Sequence, residues 1–341
     1  MSQTVKTAGA VKKMTSLLLA LATALGLAIV AAPTASADNR GNLRLGCHWD
    51  EGIKFFVQNC DVWSPAMNQK IRVQIQASSN GGNAGLYLLD GLRARNDWNA
   101  WTYDGKAHEK FVDDDVTVVM PVGGQAQFYA DWIGPWNGVN GPAKPRWETF
   151  LTSELPGYLQ DNFGVSPNNN GIVGLSMGGT AAMNLAAHHR DQFKHVTSMS
   201  GYLNPTWPGM YTAIELAMLD SGGPGAQIWN MWGNPLDPIR FRNDPVVQAA
   251  SGKFAGMPMY ISSAAGITGT RENLIEDPIG VVSGVTLEWM SRTSTAKFEL
   301  AARAGGAQPV VSYPIVGIHS WSYWNDELTK ARPHIKAALR A

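Results

Sequence analysis

The stretch GIVGLSMGGTAAMNLAAHH, residues 171–189, sets a short apolar run directly before a serine flanked by glycines and an alanine-rich run directly after it. Ile172 and Val173 read as the end of a buried strand, and residues 177–188 carry helix formers at helical spacing. Strand, tight turn and helix are the setting in which Gly-x-Ser-x-Gly makes a nucleophile elbow. The glycines permit a strained backbone and close packing, so the serine projects beyond the carboxyl end of a sheet. The pattern fixes three positions in a chain with 36 glycines. It is the flanking periodicity that makes Ser176 a candidate nucleophile rather than a structural serine.

The rest of the chain repeats the alternation. Apolar runs at 71–75, 85–89, 116–122, 195–199, 258–262 and 310–314 read as further strands, and 147–162, 177–188, 287–303 and 326–340 as helices. This predicts an α/β-hydrolase fold, a mostly parallel central sheet with helices on both faces. The Gly- and Pro-rich segments 206–239 and 266–283 read as loops rimming a site, the first of them carrying Trp207, Trp229 and Trp232.

At the amino terminus Lys6, Lys12 and Lys13 precede an apolar run over 17–32, followed by Ala35-Ser36-Ala37. This reads as a secretory signal peptide over 1–37, leaving 38–341 as a single exported domain without a membrane span. The 27 basic residues balance 27 acidic ones, and no basic stripe offers itself to nucleic acid. In an exported chain the two cysteines, Cys47 and Cys60, are expected to form a disulfide. The seven histidines show no HExxH spacing, so neither a metal nor an organic cofactor is expected.

A serine hydroxyl needs a base to take its proton and an acid to orient that base, in the chain order serine, acid, histidine. His319, in VGIHSWSYW just past the last strand, fits the base better than His334, which falls in the terminal helix after Pro333. Spacing leaves Glu272, Glu276, Asp277 and Glu288 open as the acid, and generic topology favours Glu272 or Glu276. Two backbone N–H groups must face the developing oxyanion. Met177 supplies one, and Leu92, in LLDGLRARNDWNAW, is the candidate for the other. In that stretch Asp90, Arg93, Asn96 and Asn99 are positioned to present polar groups beside the serine, which suits a hydroxyl-rich ligand.

Six blocks in order, LYLLDGLRARNDWNAW, VMPVGGQAQFYADW, KPRWETFLTSELPGYL, GLSMGGTAAMNLAAHH, RNDP and GIHSWSYW, together resemble the antigen 85-type mycolyltransferases, secreted enzymes of mycolic-acid-containing actinobacteria. The resemblance covers nearly the whole of 38–341. It implies Ser176 as acyl nucleophile, His319 as general base and Glu288 as the acid, overruling the topological preference. It puts oxyanion donors on Leu92 and Met177, and trehalose contacts on Asp90, Arg93, Met290, Ser291, Arg292, Thr293, Lys297, Ser320 and Trp321. The implied reaction moves a mycoloyl group from trehalose monomycolate to trehalose monomycolate or arabinogalactan, in the cell envelope and without a cofactor. A secreted esterase or lipase of the same fold, or a non-catalytic binding homologue, are the alternatives. The chain departs from the family at Asn204, where an aspartate is usual, and at Gly179, where alanine is common. The Cys47 and Cys60 segment resembles corynebacterial or nocardial relatives.

Overall fold

The computed structural model describes residues 40–341, and the expected signal segment lies outside them. In the centre of the sheet the strands are apolar on both faces. Leu86 and Leu88 enter one buried cluster while Tyr87 and Leu89 enter the other. Such two-sided burial is what a parallel strand covered by helices requires. The sheet comprises β1 (Cys47–Trp49), β2 (Val57–Ser64), β3 (Gln69–Gln76), β4 (Ala84–Leu89), β5 (Val116–Pro121), β6 (Asn170–Leu175), β7 (Phe193–Met199), β8 (Met259–Ser262) and β9 (Val310–Ser312). Their order is β1-β2-β3-β5-β4-β6-β7-β8-β9. β1, β2 and β3 join antiparallel at one edge, and β5, β4, β6, β7, β8 and β9 run parallel. The chain steps from β4 outward to β5 and then back across β4 to β6. The loops after β4 and β6 therefore part, opening a crevice at the carboxyl ends of the strands.

Five of the helices are α1 (Leu155–Phe163), α2 (Met177–His188), α3 (Met210–Gly222), α4 (Pro278–Ala304) and α5 (Trp321–Leu339), of which α2, α3, α4 and α5 reach that crevice. The expected helix over 147–162 is broken into a turn at Trp147–Thr149, a π-helical stretch at Phe150–Glu154 and α1. Pro156, in the first turn of α1, removes an N–H and crowds the turn before it, and the wider π turn accommodates the ring. The segment 206–239, expected as loop, instead contains α3 and two short helices, Ile228–Trp232 and Pro238–Arg242. Helix α4 starts well before the expected residue 287, because Pro278 sits in its first turn and Asp277 caps it by accepting the Gly280 N–H at 2.9 Å. Among the described residues no helix is long and apolar enough to cross a membrane.

The unanticipated β1 and β2 place Cys47 opposite Cys60 in register, and the two form a disulfide. The bond closes a loop with a sequence separation of 13. Constraining a loop of this size in the unfolded chain is worth about 3 kcal/mol. The Cys47→Ser/Cys60→Ser double variant is accordingly expected to lose about that much stability in guanidinium unfolding. A change below roughly 1 kcal/mol would mean that the edge hairpin forms equally well without the cross-link.

Candidate active site

Between β6 and α2 the backbone of Ser176 is forced to φ 53°, ψ −123°. Two glycines make that turn possible. A Cβ on Gly174 would lie 2.0 Å from the Gly178 carbonyl oxygen, and one on Gly178 would lie 2.4 Å from the Asp90 oxygen and 2.6 Å from the Leu89 oxygen. All of these neighbours are backbone and cannot swing aside. At Gly179 the nearest neighbour of a Cβ would be the Ser198 hydroxyl at 2.7 Å, the end of a side chain that can rotate, while the backbone of Gly201 and Gly174, at 3.2 and 3.3 Å, would need to give by only a few tenths of an ångström. Gly178→Ala is therefore expected to cost at least about 3 kcal/mol and to dismantle the elbow, and Gly179→Ala about 1 kcal/mol with activity retained. Thermal unfolding of the two variants separates these outcomes, and equal losses would refute the steric argument.

His319 stands beside the elbow, in the loop between β9 and α5. Its Nε2 lies 2.9 Å from Ser176 Oγ and its Nδ1 2.9 Å from Glu288 Oε2. With Nδ1–H donating to the carboxylate, Nε2 is left as the acceptor for the serine hydroxyl. The loop is fixed by the His319 N–H, which donates to the Gly284 carbonyl at 3.0 Å, and by the edge of Trp324, 4.8 Å from the imidazole. Gly284 and Glu288 are one turn apart on the buried face of α4, so a single helix holds both the backbone and the ring of His319.

Glu288 is 2 % exposed. Its Oε1 accepts the Ala264 N–H at 2.6 Å, the Ser200 hydroxyl at 2.9 Å and the Ser263 hydroxyl at 3.2 Å. Burial pushes this carboxyl up, but the bonds from His319, Ala264 and Ser200 outweigh it and hold the group below the usual glutamate range. The topologically favoured alternatives do other things. Glu272 accepts the Gly269 N–H and the Tyr323 hydroxyl, and Glu276 is exposed. His334 stacks on Tyr260.

In front of Ser176 lies a cleft of roughly 830 Å³. Leu92 and Met177 line it beside the serine, together with Asp90, Arg93, Met290, Ser320 and Trp321. Its walls come in part from the segments 206–239 and 266–283 expected to rim the site, but as helices rather than loops. Met210, Ala213, Ile214 and Ala217 present one face of α3, and Val282, Thr286, Leu287 and Met290 present one face of α4. Both sets recur at helical spacing, a signal that was legible in 206–239 beneath its flanking glycines. Between these apolar walls and the polar mouth, where Arg93 pairs with Asp220 at 2.6 Å, the cleft has room for a long hydrocarbon chain and a hydroxylated head.

Most of the remaining candidates point elsewhere. Asn204 is buried, its Oδ1 accepting the Ser294 hydroxyl at 2.6 Å, so it braces α4 rather than facing the cleft. Ser291 is fully buried and bonds the Ser263 hydroxyl behind Glu288. Arg292 projects from the far side of α4, donating to the Ser263 carbonyl and stacking over Tyr313. Thr293 and Lys297 continue the cleft-facing stripe beyond Met290 but lie outside the cleft lining, with Lys297 seated over the Trp207 ring. Asn99 caps the short helix Ala100–Tyr103 and donates to the Leu88 and Pro121 carbonyls. Asn96 is exposed outside the lining. Asp90 does reach the cleft, although its carboxylate is committed to the Gly91 and Ala100 N–H groups, and burial pushes it up to about 6.

Comparison with known proteins gives the family. The chain matches the putative esterase family over residues 64–335. It is 41 % identical over 293 residues to the diacylglycerol acyltransferase/mycolyltransferase Ag85C of Mycobacterium avium, covering 83 % of this chain and 78 % of that one. It is 41 % identical over 290 residues to Ag85A of Mycobacterium leprae, covering 84 % of each. Among solved structures, Mycobacterium tuberculosis MPT51 superposes with a TM-score of 0.72 at 29 % identity, covering 83 % of this chain and 98 % of that one. The chain belongs to the esterase family and, within it, to the Ag85-type diacylglycerol acyltransferases/mycolyltransferases.

Proposed function

We propose that the protein is a serine acyltransferase that moves a mycoloyl group from trehalose monomycolate to a sugar hydroxyl. The observation that carries this reading is the hydrogen-bonded chain Ser176–His319–Glu288 at the floor of a cleft with apolar walls and a charged mouth. His319 Nε2 takes the Ser176 proton as Oγ attacks the ester carbonyl, and the backbone N–H groups of Leu92 and Met177 hold the resulting oxyanion. Collapse of the tetrahedral intermediate returns the proton from His319 to the departing trehalose oxygen and leaves mycoloyl-Ser176. An acceptor hydroxyl, on a second trehalose monomycolate or on arabinogalactan, then gives its proton to His319 and takes the acyl group. Glu288 keeps the imidazole in the required tautomer and stabilises its protonated form.

The relatives named as mycolyltransferases support the acyl group, and the Arg93–Asp220 pair at the mouth supports a hydroxylated head. Sugar contacts fall to Arg93, Ser320 and Trp321, with Asp90 shaping the loop between them. We further propose that residues 1–37 are removed as a signal peptide and that the domain 38–341 works outside the cell membrane, in the envelope. The test is incubation with radiolabelled trehalose and trehalose monomycolate, followed by thin-layer chromatography. Ser176-dependent entry of label into glycolipid is expected. Release of free mycolic acid with no labelled glycolipid would instead make the protein an esterase.

A further inference from the structure

The Leu92 N–H belongs to the peptide that joins Gly91 to Leu92, and the linkages on either side of it are each held. On one side the Gly91 N–H donates to Asp90 Oδ1 at 2.7 Å. On the other the Leu92 carbonyl accepts two donors, the Ala126 N–H and the Ser221 hydroxyl, both at 3.0 Å. Ser221 is buried in the last turn of α3, and its own carbonyl is held by Gln125 Nε2 at 2.7 Å. The preceding residue, Asp220, carries the bridge to Arg93. Two consecutive residues of α3 thus grip two consecutive residues of the loop. The same helix walls the apolar part of the cleft through Met210, Ala213, Ile214 and Ala217.

We propose that Ser221 is a positioning residue for the oxyanion site: by holding the Leu92 carbonyl, on the linkage that follows, it fixes the orientation of the Gly91–Leu92 peptide that carries the N–H and ties the loop to the acyl-chain wall. The inference rests on the reading of Ser176 as nucleophile and the Leu92 N–H as oxyanion donor. A carbonyl held by one donor can tilt about the flanking torsions, and a second donor from a different direction restrains that tilt. Oxyanion stabilisation depends on donors placed before the charge develops, so looseness in this peptide is felt in the transition state and not in ground-state binding. In Ser221→Ala the Leu92 carbonyl keeps the Ala126 N–H, so no buried acceptor is orphaned and the fold is retained.

The experiment compares wild type, Ser221→Ala, Ser221→Thr and Ser176→Ala for turnover of p-nitrophenyl butyrate and for binding of an arylboronic acid, which forms a tetrahedral adduct with an active serine. In Ser221→Ala, kcat and boronate affinity are expected to fall together by about tenfold, less than the loss on deleting a donor outright, while KM stays within about twofold. Ser221→Thr, which restores the hydroxyl, is expected to recover both. Unchanged kcat and boronate affinity in Ser221→Ala, or no recovery in Ser221→Thr, overturns the proposal while leaving the nucleophile in place. Turnover and boronate binding that survive in Ser176→Ala overturn the nucleophile reading, and this inference with it.

Discussion

Ser176→Ala is expected to lower kcat by on the order of 10⁶ and to abolish covalent labelling by a fluorophosphonate. Both follow from the contacts of the side chain. The Oγ lies 2.9 Å from His319 Nε2, and the backbone is held separately, its N–H by the Met199 carbonyl and its carbonyl by the Thr180 N–H. Removing the hydroxyl therefore deletes the attacking atom and little else. The elbow and the cleft persist, and the melting temperature should shift by no more than about 2–4 °C, as for a change near 1 kcal/mol in a domain of this size. Because nucleophile and base act as a unit, adding His319→Ala to Ser176→Ala should cost almost nothing further in kcat. A folded Ser176→Ala protein that keeps more than about 1 % of wild-type turnover would place the chemistry on another residue.

The parts of this site that could be read from the sequence are the local ones. An elbow is built from five adjacent residues and the elements directly flanking it, so its glycines, its strand and its helix lie within one window. Helix α2 runs over Met177–His188, the range expected for it. The acid was illegible from spacing for a specific reason. Generic topology puts it just after β8, and in space it is there, because Glu288 Oε1 lies against the Ala264 N–H and the Ser263 hydroxyl at the end of that strand. The carboxylate, however, is delivered from α4, a helix whose start is set by the capping of Asp277 rather than by any periodicity near 288. Resemblance to a family supplied what spacing did not. The apolar wall failed in the opposite way. Gly209 and Gly223 bracket α3 and read as breakers, while the i, i+3, i+4, i+7 stripe from Met210 to Ala217 lies between them. Direction on a helix was the third gap. Met290 and Ser291 are neighbours in sequence, but about 100° of rotation sends one to the cleft and the other behind Glu288.

Glu288→Gln tests the remaining member of the chain, and its effect should be about 10⁴ in kcat with KM little changed. Oε1 faces three donors, so the amide oxygen of the glutamine must take that position and the NH₂ must face His319. Facing an NH₂, the imidazole must offer a bare Nδ1, which leaves the proton on Nε2 pointing at Ser176. That tautomer cannot accept the serine proton, so the lesion is one of proton location in an intact site. The pH dependence of stability gives an independent check. Since its folded-state pKa is depressed, ionised Glu288 stabilises the fold above the ordinary glutamate value, and that contribution is lost as pH falls through the lowered one. Asp90 works in the opposite sense. Raised to about 6 by burial, its ionisation weakens the fold as pH climbs from the ordinary aspartate range toward 6, and it does so equally in wild type and variant. The difference in unfolding free energy between wild type and Glu288→Gln therefore isolates Glu288, and it should narrow as pH is lowered below about 4.5. A difference that is constant with pH, or a Glu288→Gln enzyme within tenfold of wild type, would show that the carboxylate charge neither steadies the fold nor sets the state of His319.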